Sequence, residues 1–378
     1  MEILGSSLDD LRRTRSSVKW RACPGDAIPV WVAEMDSAPC PPVVEVVTEA
    51  LRRGDTGYAW SEPLVAAFTG FAARRWGWEV APARVMQVPD VMIGIEEVIQ
   101  ARVPTGGAVV VSPPVYDSFF GFVAATRRRL VEAPLGADHR LDLGALETAF
   151  ADAGMGSAYL LCNPQNPTGT VHTPEELAAV ARLADEYGVL VVSDEIHAPL
   201  VHPGVTFTPY LSLPEAGRGL ALVSGSKAWN LPGLKTALLV AGHETGHGLH
   251  EVVTHGAQHL AVLAQTAAYE HGEPWLDQLL GEIVERRRLL VDLLGEHLPE
   301  VEVAPAAATY LAWLDCSGLG LDDPAAAFAE QGVVVVPGTR YDRRAEQWVR
   351  FNVGTSPEVI TEAVRRMAGV RQGAVAAG

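Results

Sequence analysis

No apolar run in these 378 residues approaches the length of a membrane-crossing helix, and the N-terminus carries no apolar signal core. Cysteine is scarce. Cys23, Cys40, Cys162 and Cys316 are scattered and form no CxxC pair. That spacing argues against a disulfide scaffold or a zinc ribbon and fits a reduced, cytoplasmic protein. Positive charge is also short: the net charge is −17, and the brief basic runs Arg127–Arg129 and Arg286–Arg288 are expected to be solvated faces. Such a balance argues against nucleic acid or an anionic membrane as partner. No internal repeat is visible. What is plentiful is apolar: 48% hydrophobic residues against 20% charged ones allow a sizeable core and argue against disorder. The length admits one large domain plus a smaller one.

Residues 1–30 read as an extended arm. A helix from Pro41 to about Arg53 follows, with Pro in its first turn and Gly54 as its stop. Gly57–Trp60 is a loop, and Pro63 opens a helix to about Trp76. Strands are expected at 85–88, 108–112, 129–133, 157–162, 189–193, 220–223 and 236–241. Helices fall at 91–102, 143–150 and 174–187, the last with Thr173 as N-cap and Glu176 three residues on. Strands alternating with helices predict an α/β fold: a mostly parallel sheet with helices on both faces. From about Leu260 the chain turns helical. A small α+β unit follows, with strands at 301–304, 310–314, 333–336 and 348–353 and a last helix from Pro357. The expected division is 1–50 as N-terminal arm and part of a small domain, 51–275 as large domain, and 276–378 as small C-terminal domain. The Ala/Gly tail after Gly369 is expected to be disordered.

Chemistry gathers first around Ser224-Gly-Ser-Lys227. Small residues let the backbone approach a ligand, two carry hydroxyls, and a lysine just past a strand end suits a Schiff base to a phosphorylated cofactor. Alone, this describes an ordinary surface lysine. Asp194, 33 residues earlier, ends the run Leu190-Val-Val-Ser-Asp. Both residues then fall at carboxyl ends of strands in one sheet, where open α/β folds place ligands. A pyridoxal phosphate (PLP) site needs this pair: a lysine for the imine and a carboxylate for the pyridinium nitrogen. Asn163-Pro-Gln-Asn-Pro-Thr-Gly169 follows another strand, and Asn166 there can aim its amide at a ligand oxygen. Tyr116 follows a strand end and could stack on a planar ring, although a buried structural tyrosine fits that position too. Pro89-Asp90-Val91-Met92 starts a helix directly after a strand, a ready anion site that Ser224 and Ser226 could complete. Arg350 interrupts an apolar strand, so its fork is either salt-bridged internally or turned to a substrate carboxylate. His243-Glu-Thr-Gly-His247 matches HExxH, but it follows a strand, contains Gly246 and lacks a third ligand. No metal site is expected there.

With these stretches in hand, the chain resembles fold-type I PLP enzymes of the class I/II aminotransferase superfamily, and within them the cystathionine β-lyase-like C–S lyases of the MalY/PatB group. Trp31-Val-Ala-Glu-Met-Asp36 resembles that group's WVADMDF. Ser193-Asp-Glu-Ile-His197 and Ser226-Lys227 match SDEIH and SK, Thr309–Asp315 matches TYLAWLD, and Val335–Gly338 and Arg350–Asn352 stand for VVPG and RLN. The resemblance runs nearly end to end. It implies that Lys227 carries the cofactor and moves the Cα proton, Asp194 pairs with the pyridine nitrogen, Asn166 bonds its phenolic oxygen and Tyr116 stacks on the ring. Ser224, Ser226 and the backbone of Val91 and Met92 would hold the phosphate, and His197 is implied at the cofactor. Tyr58 resembles a tyrosine that reaches the phosphate from a neighbouring subunit, which implies a homodimer with its active site at the interface. Arg350 would bind the substrate α-carboxylate, with Ala33, Asn166 and Trp60 also implied at the substrate.

Four departures stand out. Gln165 replaces the His of NPHNP, Ser37 the aromatic after MD, and Asp90-Val-Met92 the group's Gly-Val-Val. Arg340–Glu346 replaces a glycine-rich piece. The resemblance therefore implies PLP chemistry on an altered amino-acid substrate: C–S β-lyase activity on cystathionine or another cysteine S-conjugate, such as a thioconjugate of a specialised-metabolite pathway. An aminotransferase would use the same residues, and a PLP-binding regulator acting through protein contacts is the third reading.

Overall fold

The computed structural model describes residues 2–371, and the tail expected to be disordered lies, from residue 372 on, outside the described residues. The chain divides into two compact units. The larger comprises Pro39–Asn166 and Thr170–Leu276. The smaller comprises the residues up to Ala38, Pro167–Gly169 and those from Asp277 onward. The helix Pro41–Arg52 thus belongs to the larger unit.

Among the described residues, the larger unit is built on a seven-stranded sheet. Its spatial order is Val85–Val88, Ala237–Ala241, Leu220–Val223, Leu190–Asp194, Ala158–Cys162, Ala108–Val111, Arg129–Glu132. All pairings are parallel except those of Ala237–Ala241, which runs antiparallel to both neighbours. The central strands are buried along their length, which is why they read as unbroken apolar runs. Side chains alternate between two cores. Val109, Val111, Leu160, Val192 and Leu222 pack with Ile95, Val98 and Phe119 on one face. Val110, Tyr159, Leu161 and Val191 pack with Phe150, Leu177 and Val180 on the other. Helices therefore cover both faces. Gly94 shows how close one comes: a Cβ there would lie 2.3 Å from Leu222 Cδ2. The helix Pro174–Tyr187 starts on a complete capping box of Thr173 and Glu176 and stops at Gly188 in the left-handed region, φ 64°.

In the smaller unit a four-stranded antiparallel sheet runs Val336–Pro337, Trp348–Asn352, Leu311–Asp315, Glu302–Val303. Two expectations are corrected here. Residues 1–30 are not simply extended: they hold the helices Leu8–Thr14, capped by Ser7, and Val18–Arg21. Nor is 333–336 one strand. Val333–Val334 pairs in parallel with Ile28–Pro29, while Val336–Pro337 pairs with Trp348–Asn352. In the larger unit, the helix Ser118–Ala125 was not expected, because its run SFFGFVAA is apolar nearly all round and carries no helical period.

Candidate active site

The sheet register gathers the site. Cys162 is the cross-strand partner of Asp194, and Asp194 of Leu222. Three adjacent strands therefore end side by side, and each delivers a segment from its carboxyl end: Asn163–Asn166, Asp194–His197 and Ser224–Lys227. The next strand beyond Ala158–Cys162 is Ala108–Val111, which leads to Tyr116.

Asp194 is 3% exposed, and its Oδ1 accepts the Ile196 N–H at 3.1 Å. Burial pushes its carboxyl up to about 6, opposed by that hydrogen bond and by the nearby charge of Lys227. Lys227 closes a tight turn. Ser224 Oγ donates to Thr236 O at 2.9 Å, and Ser226 N donates to Ser224 Oγ at 3.2 Å. Gln265, buried on the helix His259–His271, knits this turn from below. Its Oε1 accepts the Gly225 N–H at 2.9 Å, and its Nε2 donates to Ser224 Oγ and Thr236 O, both at 3.0 Å. The Ser224 hydroxyl thus braces the lysine turn. Nothing local in the sequence flags Gln265, which acts from 38 residues beyond Lys227.

Gln165, the residue standing where the resembled group has His, donates Nε2 to Ser112 O at 3.2 Å and to Pro114 O at 2.8 Å. It ties the Asn163–Asn166 loop to the segment that carries Tyr116, whose ring meets Phe119 edge-on at 5.7 Å. Asn163 Nδ2 donates to Glu195 Oε1 and Thr208 O, and Asn166 is buried beside it. His197 is buried just past Asp194. At the helix Val91–Arg102, the Asp90 carboxylate caps Ile93 N at 2.8 Å and pairs with Lys235 at 3.3 Å. The cap leaves the N–H groups of Val91 and Met92 at the helix start for an anion. Tyr58 and Trp60 stand apart from these residues in solvent, 97% and 65% exposed.

The smaller unit holds the remaining residues. Arg350 is 4% exposed, and its Nη2 donates to Trp31 O at 2.8 Å. The segment 31–36 beside it is fixed at successive carbonyls. Asn352 Nδ2 donates to Val32 O and Glu34 O, and Tyr310 Oη donates to Ala33 O at 3.0 Å. Its end is pinned by a buried ion pair, Lys19 Nζ to Asp36 Oδ2 at 2.7 Å, with Trp20 Nε1 donating to Asp36 Oδ1 at 2.8 Å. His243 and His247 lie outside any helix, and His247 Nε2 contacts Arg84 O at 2.6 Å. No group of three or more potential ligands that could hold a metal occurs among the described residues.

This arrangement defines a class: an α/β protein that gathers a lysine, a buried carboxylate, an amide and an anion-ready helix start at the carboxyl ends of a mostly parallel sheet. The chain matches Aminotransferase class I and II over residues 57–367 and belongs to that family. A Mycobacterium leprae protein to which cystathionine β-lyase activity is ascribed is 46% identical, over 93% of this chain and 94% of its own length. Cystathionine β-lyase PatB of Bacillus subtilis is 33% identical over 90% and 92%. A crystal structure from Corynebacterium diphtheriae, ascribed to a PLP-dependent β-cystathionase, superposes with a TM-score of 0.91 at 32% identity, covering 98% and 99% of the two chains.

Proposed function

We propose that this chain is a PLP-dependent C–S β-lyase that cleaves cystathionine or another L-cysteine S-conjugate to thiol, pyruvate and ammonia. The carrying observation is the placement of buried Asp194 and Lys227 on neighbouring strand ends, in a chain similar end to end to proteins named for cystathionine β-lyase.

The residues fit the cofactor. A carboxyl pushed up to about 6 by burial holds its charge at neutral pH when a cation faces it, and a protonated pyridine nitrogen is such a cation. The helix start at Val91 and Met92 suits a phosphate, and the Ser226 hydroxyl would add a further donor. When bound, pyridoxal phosphate supplies an electron sink for the charge left at the substrate Cα. Asp194 would pair with its pyridine nitrogen and keep that sink cationic, Asn166 would bond its phenolic oxygen, and Tyr116 would stack on its ring. Lys227 would hold the cofactor, and its free amine would accept the substrate Cα proton as general base. The thiolate then leaves the β-carbon, and water completes the release of pyruvate and ammonia. Arg350 supplies a flat fork for the α-carboxylate.

The working form is a homodimer, in which Tyr58 of each chain reaches the other's phosphate site. An exposed Tyr58 and Trp60 on one loop support that reading. Four free cysteines support a cytoplasmic setting, and among the described residues no helix is long and apolar enough to cross a membrane.

Transamination is the second reading, because the family includes aminotransferases and the same residues serve both outcomes. A product assay separates them. The PLP-loaded protein receives L-cystathionine or S-methyl-L-cysteine, with and without a keto acid. Pyruvate and thiol without keto acid are the expected result. A new amino acid formed only with keto acid would replace the lyase by the aminotransferase.

A further inference from the structure

The stretch 340–346 is where the chain departs from the glycine-rich piece of the family it resembles. Within it, Tyr341 is 1% exposed. Its ring lies against the guanidinium of Arg350, with Cζ 5.0 Å from the ring centroid. Trp313 meets Tyr341 edge-on at 5.5 Å and stacks on Trp348 at 5.3 Å with 17° between planes. The sheet register sets Trp313 on one side of Arg350 and Val336 on the other. The tyrosine ring is therefore wedged in place. An aromatic face attracts the cation. The Trp31 carbonyl fixes one N–H donor of the guanidinium at 2.8 Å. The ring contact and the carbonyl contact both restrain the guanidinium.

The geometry points to Tyr341 as a positioning residue for substrate recognition: its ring steadies the Arg350 guanidinium so that the fork meets the α-carboxylate of an amino-acid substrate. The inference rests on the reading of Arg350 as the carboxylate-binding residue. Tyr341 acts through Arg350 and takes no part in proton transfer. A ring in this place raises affinity for ligands that carry the carboxylate and leaves ligands without it untouched.

The test uses the PLP-loaded enzyme and two probes. Methylthiopropanoate has the carboxylate without the amine, and methylthioethylamine has the amine without the carboxylate. Binding of the acid is followed by ligand-observed NMR, and binding of the amine by the visible spectrum. Tyr341→Phe keeps the ring and is expected to bind both as the parent does. Tyr341→Leu is expected to weaken the acid roughly tenfold, to leave the amine unchanged, and to act on turnover through KM more than kcat. Trifluorophenylalanine at position 341 preserves shape while draining the ring face of electrons. It is expected to weaken the acid relative to Tyr341→Phe, and it decides the matter should Tyr341→Leu not fold. Equal acid binding by the fluorinated and Phe variants, or parallel loss of acid and amine, overturns the inference. Arg350→Lys separates the two levels. If it leaves acid binding intact, the reading of Arg350 itself fails. If it weakens the acid while the Tyr341 variants do not, only the role of Tyr341 falls.

Discussion

Asp194 and Glu195 are consecutive carboxyls, both buried, with different work to do. Asp194 stands at the strand end beside the charge of Lys227. Glu195 points into a structural pocket, where Oε1 accepts Tyr210 N at 2.8 Å, Ser193 Oγ at 3.0 Å and Asn163 Nδ2 at 3.3 Å. Its Oε2 has no hydrogen-bond partner among the described residues. Burial and the neighbouring Asp194 raise its carboxyl to about 7 against the hydrogen bonds that lower it. A raised acid binds more protons folded than unfolded, so it subtracts stability as pH climbs from 4.5 to about 7 and costs no more beyond. Unfolding of the cofactor-free protein by urea across that window should therefore show the parent losing about 3 kcal/mol more than Glu195→Gln. Equal slopes would mean that Glu195 is not held protonated. If Lys227 carries the proposed role, Lys227→Ala should lower kcat by about 10³-fold or more and remove the visible band of the loaded enzyme. A band that survives takes Lys227 out of its role. The placement of Asp194, Asn166 and Lys227 at or just past strand ends is legible in sequence, because each follows an apolar run, a local signal. Gln265 and Tyr341 are not, because each acts on a residue it meets only after folding.

At the scale of elements, two devices hold loops and helices in place with very different energies. The capping box at Thr173 satisfies two backbone donors on an exposed helix start. The Lys19–Asp36 pair closes the segment 31–36 from within, both side chains essentially inaccessible. Thr173→Ala should cost about 1 kcal/mol, since water replaces the lost hydroxyl. Asp36→Ala leaves the Lys19 ammonium buried without its counter-charge and should cost about 3–5 kcal/mol. Denaturant titration of the two variants side by side checks the order, and a similar loss in both would show that the Lys19 site opens to water. The capping box is visible in sequence because its residues lie three apart. The buried pair is hidden because Lys19 looks like a surface lysine until the helix Val18–Arg21 turns it inward. That helix has four residues and the one before it seven, too short for a periodic pattern, and tertiary contacts stabilise them instead. The α/β pattern itself is legible strand by strand. The order of the strands is not, since register and crossovers are set by non-local pairing.

For the whole molecule, the exposed aromatic loop carries the argument for a second copy. Tyr58 and Trp60 stand in water, and Trp60 borders a groove of about 520 Å³ lined by Pro42, Val46, Pro63, Val262 and Leu263. A patch of this kind on a chain of charge −17 favours a specific partner over loose association. If two copies meet there about a two-fold axis, each gives the other its loop, because such an interface uses the same patch on both sides. Mixing two defective chains makes this testable. Lys227→Ala lacks the lysine but keeps Tyr58, and Tyr58→Phe keeps the lysine but lacks the hydroxyl that would bond the phosphate. Each homodimer should bind cofactor or turn over poorly. In a mixed dimer with Tyr58 reaching across, one site receives both defects and the other receives none. Equal mixing after reversible dissociation should therefore restore about a quarter of the parent's sites, read as turnover and as tightly bound cofactor. If Tyr58 serves its own chain, the intact lysine always sits with the altered tyrosine, and mixing restores nothing. Restored activity would thus establish both the dimer and the exchange of the loop, and its absence in a dimer seen by sedimentation would keep the dimer and discard the exchange.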